Sequence, residues 1–300
     1  RADVPGPGFA RARGCSTSQR ERSPTGRAVG SMTDAPADPG QSPSPVFEAT
    51  VRDGVCRLSR PETRWLSTGY DGGDSRADAA YLCSVPEGWD DVDIERYVER
   101  RRRDAGFDDT DPGPALLTGV SMGHAHRARL GPVEAVATAG LSNPAALPIP
   151  DEGRVGDGKN AVGSGDGGGE KAVGTGDDSN RIGTVNVVVG TTRSLAPGAL
   201  ANLVAVAAEA KAATLLARTG FPGTTSDAVV AACDPAGERA AFSGSATAVG
   251  AAARACVRDA LLAALASRYG DEEPPASVGD AEYGVVTDRQ ARVDVVESEE

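Results

Sequence analysis

The segment AAEAKAAT, residues 207–214, places two opposite charges in the most apolar stretch of the chain. Lys211 is one of three lysines, against 28 arginines, in 300 residues. On a helix, side chains two positions apart project about 200° from each other, so Glu209 and Lys211 cannot form a local pair. Each charge needs a partner on another element or on a ligand. Two readings stand side by side: a structural salt bridge to a neighbouring element, or groups held in an apolar setting to move protons. An ammonium, unlike a guanidinium, can be tuned to release its proton.

Short polar patterns recur between residues 138 and 247: TAGLSN (138–143), GTVN (183–186), AEAK (208–211), PGTTSDA (222–228) and SGSAT (243–247). Each sets small residues, which let backbone approach a ligand, beside a hydroxyl, an amide or a charge. Singly each reads as a turn or cap; together they point to one shared site. Other motifs fail. GRVGDGKN (153–160) resembles a phosphate-binding loop but has Asn160 where a hydroxyl must hold magnesium, and no strand leads into it. GHAH (123–126) places His124 and His126 on one face if the segment is extended, but there is no third histidine, so a turn or strand-end pair without metal is expected. A G-x-S-x-G elbow is absent, which excludes the usual α/β-hydrolase arrangement.

The elements that must position these groups follow from pattern and punctuation. Residues 1–31 carry six arginines against Asp3 and Glu21; with Met32 read as the natural start, the whole of 1–45 is expected to be a disordered arm. VFEATVRDGVCRLS (46–59) predicts a strand pair turning at Asp53-Gly54. RWLSTGY (64–70), PALLTGV (114–120), GPVEAVATAGL (131–141), IGTVNVVVG (182–190), DAVVAAC (227–233) and RAAFSG (239–244) predict further strands, and YGVVTDRQARVDVV (283–296) a late one. Helices are predicted over 93–107, with an exposed arginine run at 100–103, over 197–220, from Pro to Gly, and over 246–270. The 197–220 helix has the length of a membrane span, but Glu209 and Lys211 near its centre mark it as the buried helix of a soluble protein.

Residues 151–181 lack hydrophobic periodicity and read as a flexible insertion. Residues 271–300 form an acidic tail, ten carboxylates against two arginines. Paired strands with helices inserted predict a single α/β (α+β) domain over 46–270, its mixed or largely antiparallel sheet sandwiched with long Ala-rich helices. The net charge of −12 disfavours nucleic acid as a partner. The acidic, lysine-poor composition resembles proteins of a high-salt cytoplasm or reflects a GC-rich genome that favours arginine codons, two readings that can hold together. Five cysteines without a C-x-x-C pair read as free thiols in a reducing cytosol.

The ordered series TAGLSN, GTVNVVV, LAPGALANLVAVAAEAKAATLL, GTTSDAVVAA and FSGSATAVGAAARACV, with LSTGYDGG (66–73) upstream, resembles the adenosylcobinamide amidohydrolases of archaeal cobalamin salvage over roughly 46–270. The chain departs from that pattern in the 151–181 insertion, in Ala208 where a threonine is common, and in GTTSD where GTGTD is usual. The resemblance implies hydrolysis of the amide joining aminopropanol to the corrin ring, with a small-molecule corrinoid as substrate, its cobalt belonging to the substrate, and no cofactor or resident metal. It also implies roles. Lys211 or Glu209 would work as acid and base with Asp227. Thr224, Thr225 or Ser226 would supply a hydroxyl or oxyanion contacts, and Thr138, Asn143, Thr184 and Asn186 would line the pocket. On that reading Lys211→Met and Asp227→Asn both abolish turnover in a folded protein. A non-catalytic corrinoid carrier, or a metal-dependent hydrolase of another amide using His124, are the alternatives.

Overall fold

At Asp53 and Gly54 the backbone turns with φ of 45° and 73°, the left-handed pair that a two-residue hairpin of type I′ requires. The hairpin joins β1 (Glu48–Arg52) to β2 (Val55–Ser67) in the register Arg52↔Val55. The computed structural model describes residues 45–86, 89, 93–108, 113–149, 184–270, 272–281 and 283–296, all inside one compact unit, Gly40–Glu300. Residues 1–44 of the expected arm, and the 151–181 insertion, lie outside the described residues.

In chain order the hairpin is followed by β3 (Gly73–Ser84), α1 (Ile94–Asp104), β4 (Ala115–Thr118), β5 (His126–Leu130), β6 (Val133–Ala139), β7 (Pro144–Ala146), β8 (Val185–Thr191) and β9 (Ser194–Leu195). Then come α2 (Pro197–Thr219), β10 (Gly223–Thr224), β11 (Ala228–Cys233), β12 (Arg239–Ala240), α3 (Ala248–Tyr269) and β13 (Val285–Val286). An eight-stranded sheet runs β4-β3-β2-β11-β8-β6-β5, with β1 also on β2. The β3–β4 and β8–β11 pairs are parallel and the rest antiparallel. The sheet is therefore mixed, and the domain is α/β, as its sequence predicts.

Four sequence expectations change. The stretch 64–70 is not a separate strand: β2 continues through it, slips register between Ser59 and Thr63, and passes from β1 to β11 as neighbour. The late strand over 283–296 shrinks to Val285–Val286, and that over 239–244 to Arg239–Ala240. The arginine run at 100–103 is only partly solvated. Arg102 is buried with its guanidinium 4.7 Å from the Tyr81 ring, and Arg101 donates to the Asp53 carbonyl at 2.5 Å.

Side-chain alternation sorts the sheet into two faces. Val133, Val187, Val189 and Ala231 face α2 and α3. Val136, Val188, Val230 and Trp65 face the other way, into a second cluster that includes Leu116 of β4 and Met122. The sheet thus curls until β4 meets β8, where the Asn186 amide donates to the Leu117 carbonyl at 2.8 Å. α2 opens on Pro197 and stops at Gly220, whose φ of 80° is the left-handed cap that glycine adopts without cost. It buries Leu200, Leu203, Val206, Ala207 and Leu215 in the core, as the buried helix that its sequence predicts. The four described cysteines are free and buried; burial pushes the Cys56 and Cys256 thiols up to about 11 and Cys83 to about 12.

Gly190 shows how close the inner packing is. A Cβ there would lie 2.1 Å from Cζ of Phe47, whose ring stacks on Trp65 at 5.6 Å. Gly190→Ala is expected to cost about 1–3 kcal/mol through displacement of that ring, seen as a lower denaturant midpoint.

Candidate active site

Where β8 and β11 begin, Asp227 gathers four donors. Its carboxylate accepts from the Val185 N–H at 2.9 Å, the Thr224 N–H at 3.0 Å, the Thr224 hydroxyl and the Lys211 ammonium. Lys211 also donates to the Pro222 carbonyl at 3.4 Å. Both side chains of the ion pair are about nine-tenths buried, each 11% exposed. Gly223 is required beside them, because a Cβ there would meet Asp227 Oδ2 at 2.3 Å and Lys211 Nζ at 2.6 Å. A carboxylate offers roughly four lone-pair sites, and here all are taken. Asp227 therefore ties α2, the 222–227 turn and the start of β8 together.

Around the pair the structure brings together most of the residues that the sequence singles out. The Asn143 side-chain amide donates to the Thr225 hydroxyl at 2.6 Å, and the Asn143 backbone carbonyl accepts the Thr225 N–H at 3.1 Å. Thr184 donates to the Ser226 carbonyl at 2.7 Å, and the Ser226 hydroxyl donates to Thr184 Oγ1 at 3.1 Å. Thr225 and Ser226 are exposed, whereas Asn143, Thr184 and Thr224 are buried. Thr138 and Asn186 do not join them. They oppose each other in the β6–β8 register on the inner face of the sheet, and the buried Thr138 hydroxyl has no hydrogen-bond partner among the described residues.

Glu209 is also elsewhere, for the geometric reason that separates it from Lys211 along the helix. Its side chain is 60% exposed and meets Arg254 of α3 at 2.5 Å, an exposed pair worth under about 1 kcal/mol. Of the two expected partners for Asp227, the structure therefore brings Lys211 to it and leaves Glu209 apart. The histidines have protein partners: His124 Nδ1 lies 2.9 Å from Ser267 Oγ, and His126 Nδ1 3.1 Å from the His124 carbonyl. Among the described residues no group of three His, Cys, Asp or Glu side chains is placed to hold a metal ion.

Three hollows are lined by other residues. One of about 300 Å³ lies between the 70–75 turn, α1 and residues 113–115. One of about 650 Å³ lies between the start of α2 and residues 241–247, and one of about 330 Å³ lies between α2 and α3. Of the five polar patterns, SGSAT therefore stands apart, at the end of α2 opposite the Asp227 cluster. The sequence signals that pass unread are small ones. Phe242 is a lone aromatic ahead of SGSAT, and Glu134 is a lone acid in the apolar strand VEAVATA.

Comparison with known proteins adds identity to this geometry. The family model described as adenosylcobinamide amidohydrolase matches residues 43–273. A protein of Halobacterium salinarum named adenosylcobinamide amidohydrolase is 55% identical over 249 residues, which span 83% of this chain and 99% of that protein. The solved PH0078 protein from Pyrococcus horikoshii OT3 aligns over 76% of this chain and 81% of its own at 14% identity and a TM-score of 0.36, a likeness too slight to argue from. The match across most of the described domain and nearly the whole of the halobacterial relative has one meaning: the chain belongs to the adenosylcobinamide amidohydrolase family.

Proposed function

We propose that this chain hydrolyses the amide that joins aminopropanol to the corrin ring of adenosylcobinamide, releasing adenosylcobyric acid and free aminopropanol for cobalamin salvage. The observation that carries this reading is the 55% identity that runs through 99% of a relative named for that activity. The cobalt enters and leaves with the substrate, so the reaction asks for no resident cofactor. It asks instead for a positioned water, donors for the oxyanion and a proton for the leaving amine. In this reading Lys211 and Asp227 are positioning residues that hold the 222–227 turn, and Thr225 and Ser226 are the hydroxyls of that turn that solvent can reach.

Incubation of the purified protein with adenosylcobinamide, followed by chromatography, is expected to give adenosylcobyric acid at many turnovers per protein. Stoichiometric binding of unchanged corrinoid would replace the hydrolase by a carrier.

A further inference from the structure

The parallel strands β8 and β11 are joined across α2, and in α/β sheets ligands collect in the crevice at the carboxyl ends of such strands. There the chain leaves β8 to begin α2 at Pro197 and leaves β11 to begin α3 at Ala248. Between these two departures lies the cavity of about 650 Å³, walled by Ala196, Gly198, Ala199, Asn202 and residues 241–247. That volume is within the range of small-molecule sites. No charged side chain lines it, and apart from Phe242 none is larger than asparagine.

The recess is pre-formed rather than loose. Ser243, 1% exposed, donates to the Ala199 carbonyl at 2.6 Å and accepts from the Asn202 amide at 3.1 Å. Thr247 closes the loop by donating to the Gly244 carbonyl at 2.8 Å. Gly250 lets the loop lie flat on α3, since a Cβ there would stand 2.0 Å from that same carbonyl. On the rim of this fixed wall Phe242 is 75% exposed, an aromatic face with nothing on its outer side among the described residues.

We infer that this cavity receives the corrin macrocycle of adenosylcobinamide, with the Phe242 ring against the face of the macrocycle. The inference rests on the amide-hydrolase reading above. A broad, uncharged recess walled by Ala, Gly, Ser and Thr admits a flat ring system close to backbone, and one exposed aromatic supplies stacking. The hydroxyls and amide on the wall (Ser245, Thr247, Asn202) suit the amide-bearing periphery of a corrin. The recess and Lys211 stand toward opposite ends of α2, since Lys211 sits fourteen residues beyond Pro197, about 20 Å away at the helical rise.

Steady-state kinetics on adenosylcobinamide, paired with corrinoid binding read by visible absorbance, test this on the full chain. Phe242→Ala is expected to raise KM and the dissociation constant about tenfold with kcat within about twofold, and Phe242→Trp to restore both. Ala246→Trp, at an exposed wall position, is expected to fill the recess and lower kcat/KM at least about fiftyfold with no change in Tm. The Phe242 variants carry the test by themselves if Ala246→Trp does not fold. A wild-type protein that cleaves adenosylcobinamide, together with variants indistinguishable from it, overturns the cavity assignment and leaves the hydrolase reading intact. A wild-type protein that binds the corrinoid without cleaving it overturns only the hydrolase reading, and the binding constants of the variants still decide the cavity. A wild-type protein that neither binds nor cleaves it overturns both.

Discussion

Asp227→Ala is expected to cost about 3–5 kcal/mol of folding stability, the range for breaking a buried ion pair from one side. The substitution leaves the Lys211 ammonium, 11% exposed, without its counter-charge, and leaves the Val185 and Thr224 N–H groups without their acceptor. Lys211→Met should cost much less, about 1–2 kcal/mol, although it breaks the same pair. Asp227 then keeps three hydrogen-bond donors, the Val185 and Thr224 N–H groups and the Thr224 hydroxyl. Methionine also refills most of the volume. Denaturant titration of the two variants checks the asymmetry. Below its unfolding range Lys211→Met is expected to retain turnover within a few-fold of wild type. A folded Lys211→Met protein that loses activity more than a hundredfold would put the ammonium back into the chemistry.

Arg127→Ala is the second large effect, at about 3 kcal/mol, or roughly 6–12 °C in Tm for a domain of this size. Glu134 is fully buried on the inner face of β6. Its Oε2 accepts the Val46 N–H at 2.8 Å, and its Oε1 lies 3.6 Å from Arg127 Nη1 with no hydrogen bond of its own. Without Arg127 the carboxylate stays inside the sheet against one N–H. Glu134→Gln in the same background removes the charge but keeps an acceptor for Val46, so the double variant should recover most of the loss. Equal stability of the single and double variants would show that the loss does not come from an unpaired Glu134 charge.

The sequence made the long elements legible and the site only in part, for reasons visible in single residues. Pro197 and Gly220 punctuate α2, and the apolar β-branched run of β8 and the Asp53-Gly54 turn are local signals that packing does not override. β3 escaped because its first half, GDSRA, is polar and largely exposed, so no alternation marks it. The pairing of Lys211 with Asp227 is a contact across sixteen residues, which helical spacing could exclude for Glu209 but not supply for Asp227. The five polar patterns predict one shared site. Chain direction divides them, because 222–227 precedes β11 while 243–247 follows it, and the two ends of a strand cannot share a pocket. The depth of Glu134 had no local mark beyond being an acid in a valine-rich strand.

Hydrolysis of adenosylcobinamide is tested most directly by turnover in ¹⁸O-labelled water, with both products weighed by mass spectrometry. Amide hydrolysis takes one oxygen from water into the new carboxylate and gives the proton-bearing amine as the leaving group. The expected result is adenosylcobyric acid carrying one ¹⁸O and an equal amount of free aminopropanol, formed over many turnovers. Recovery of unlabelled, intact adenosylcobinamide from saturated protein would contradict it.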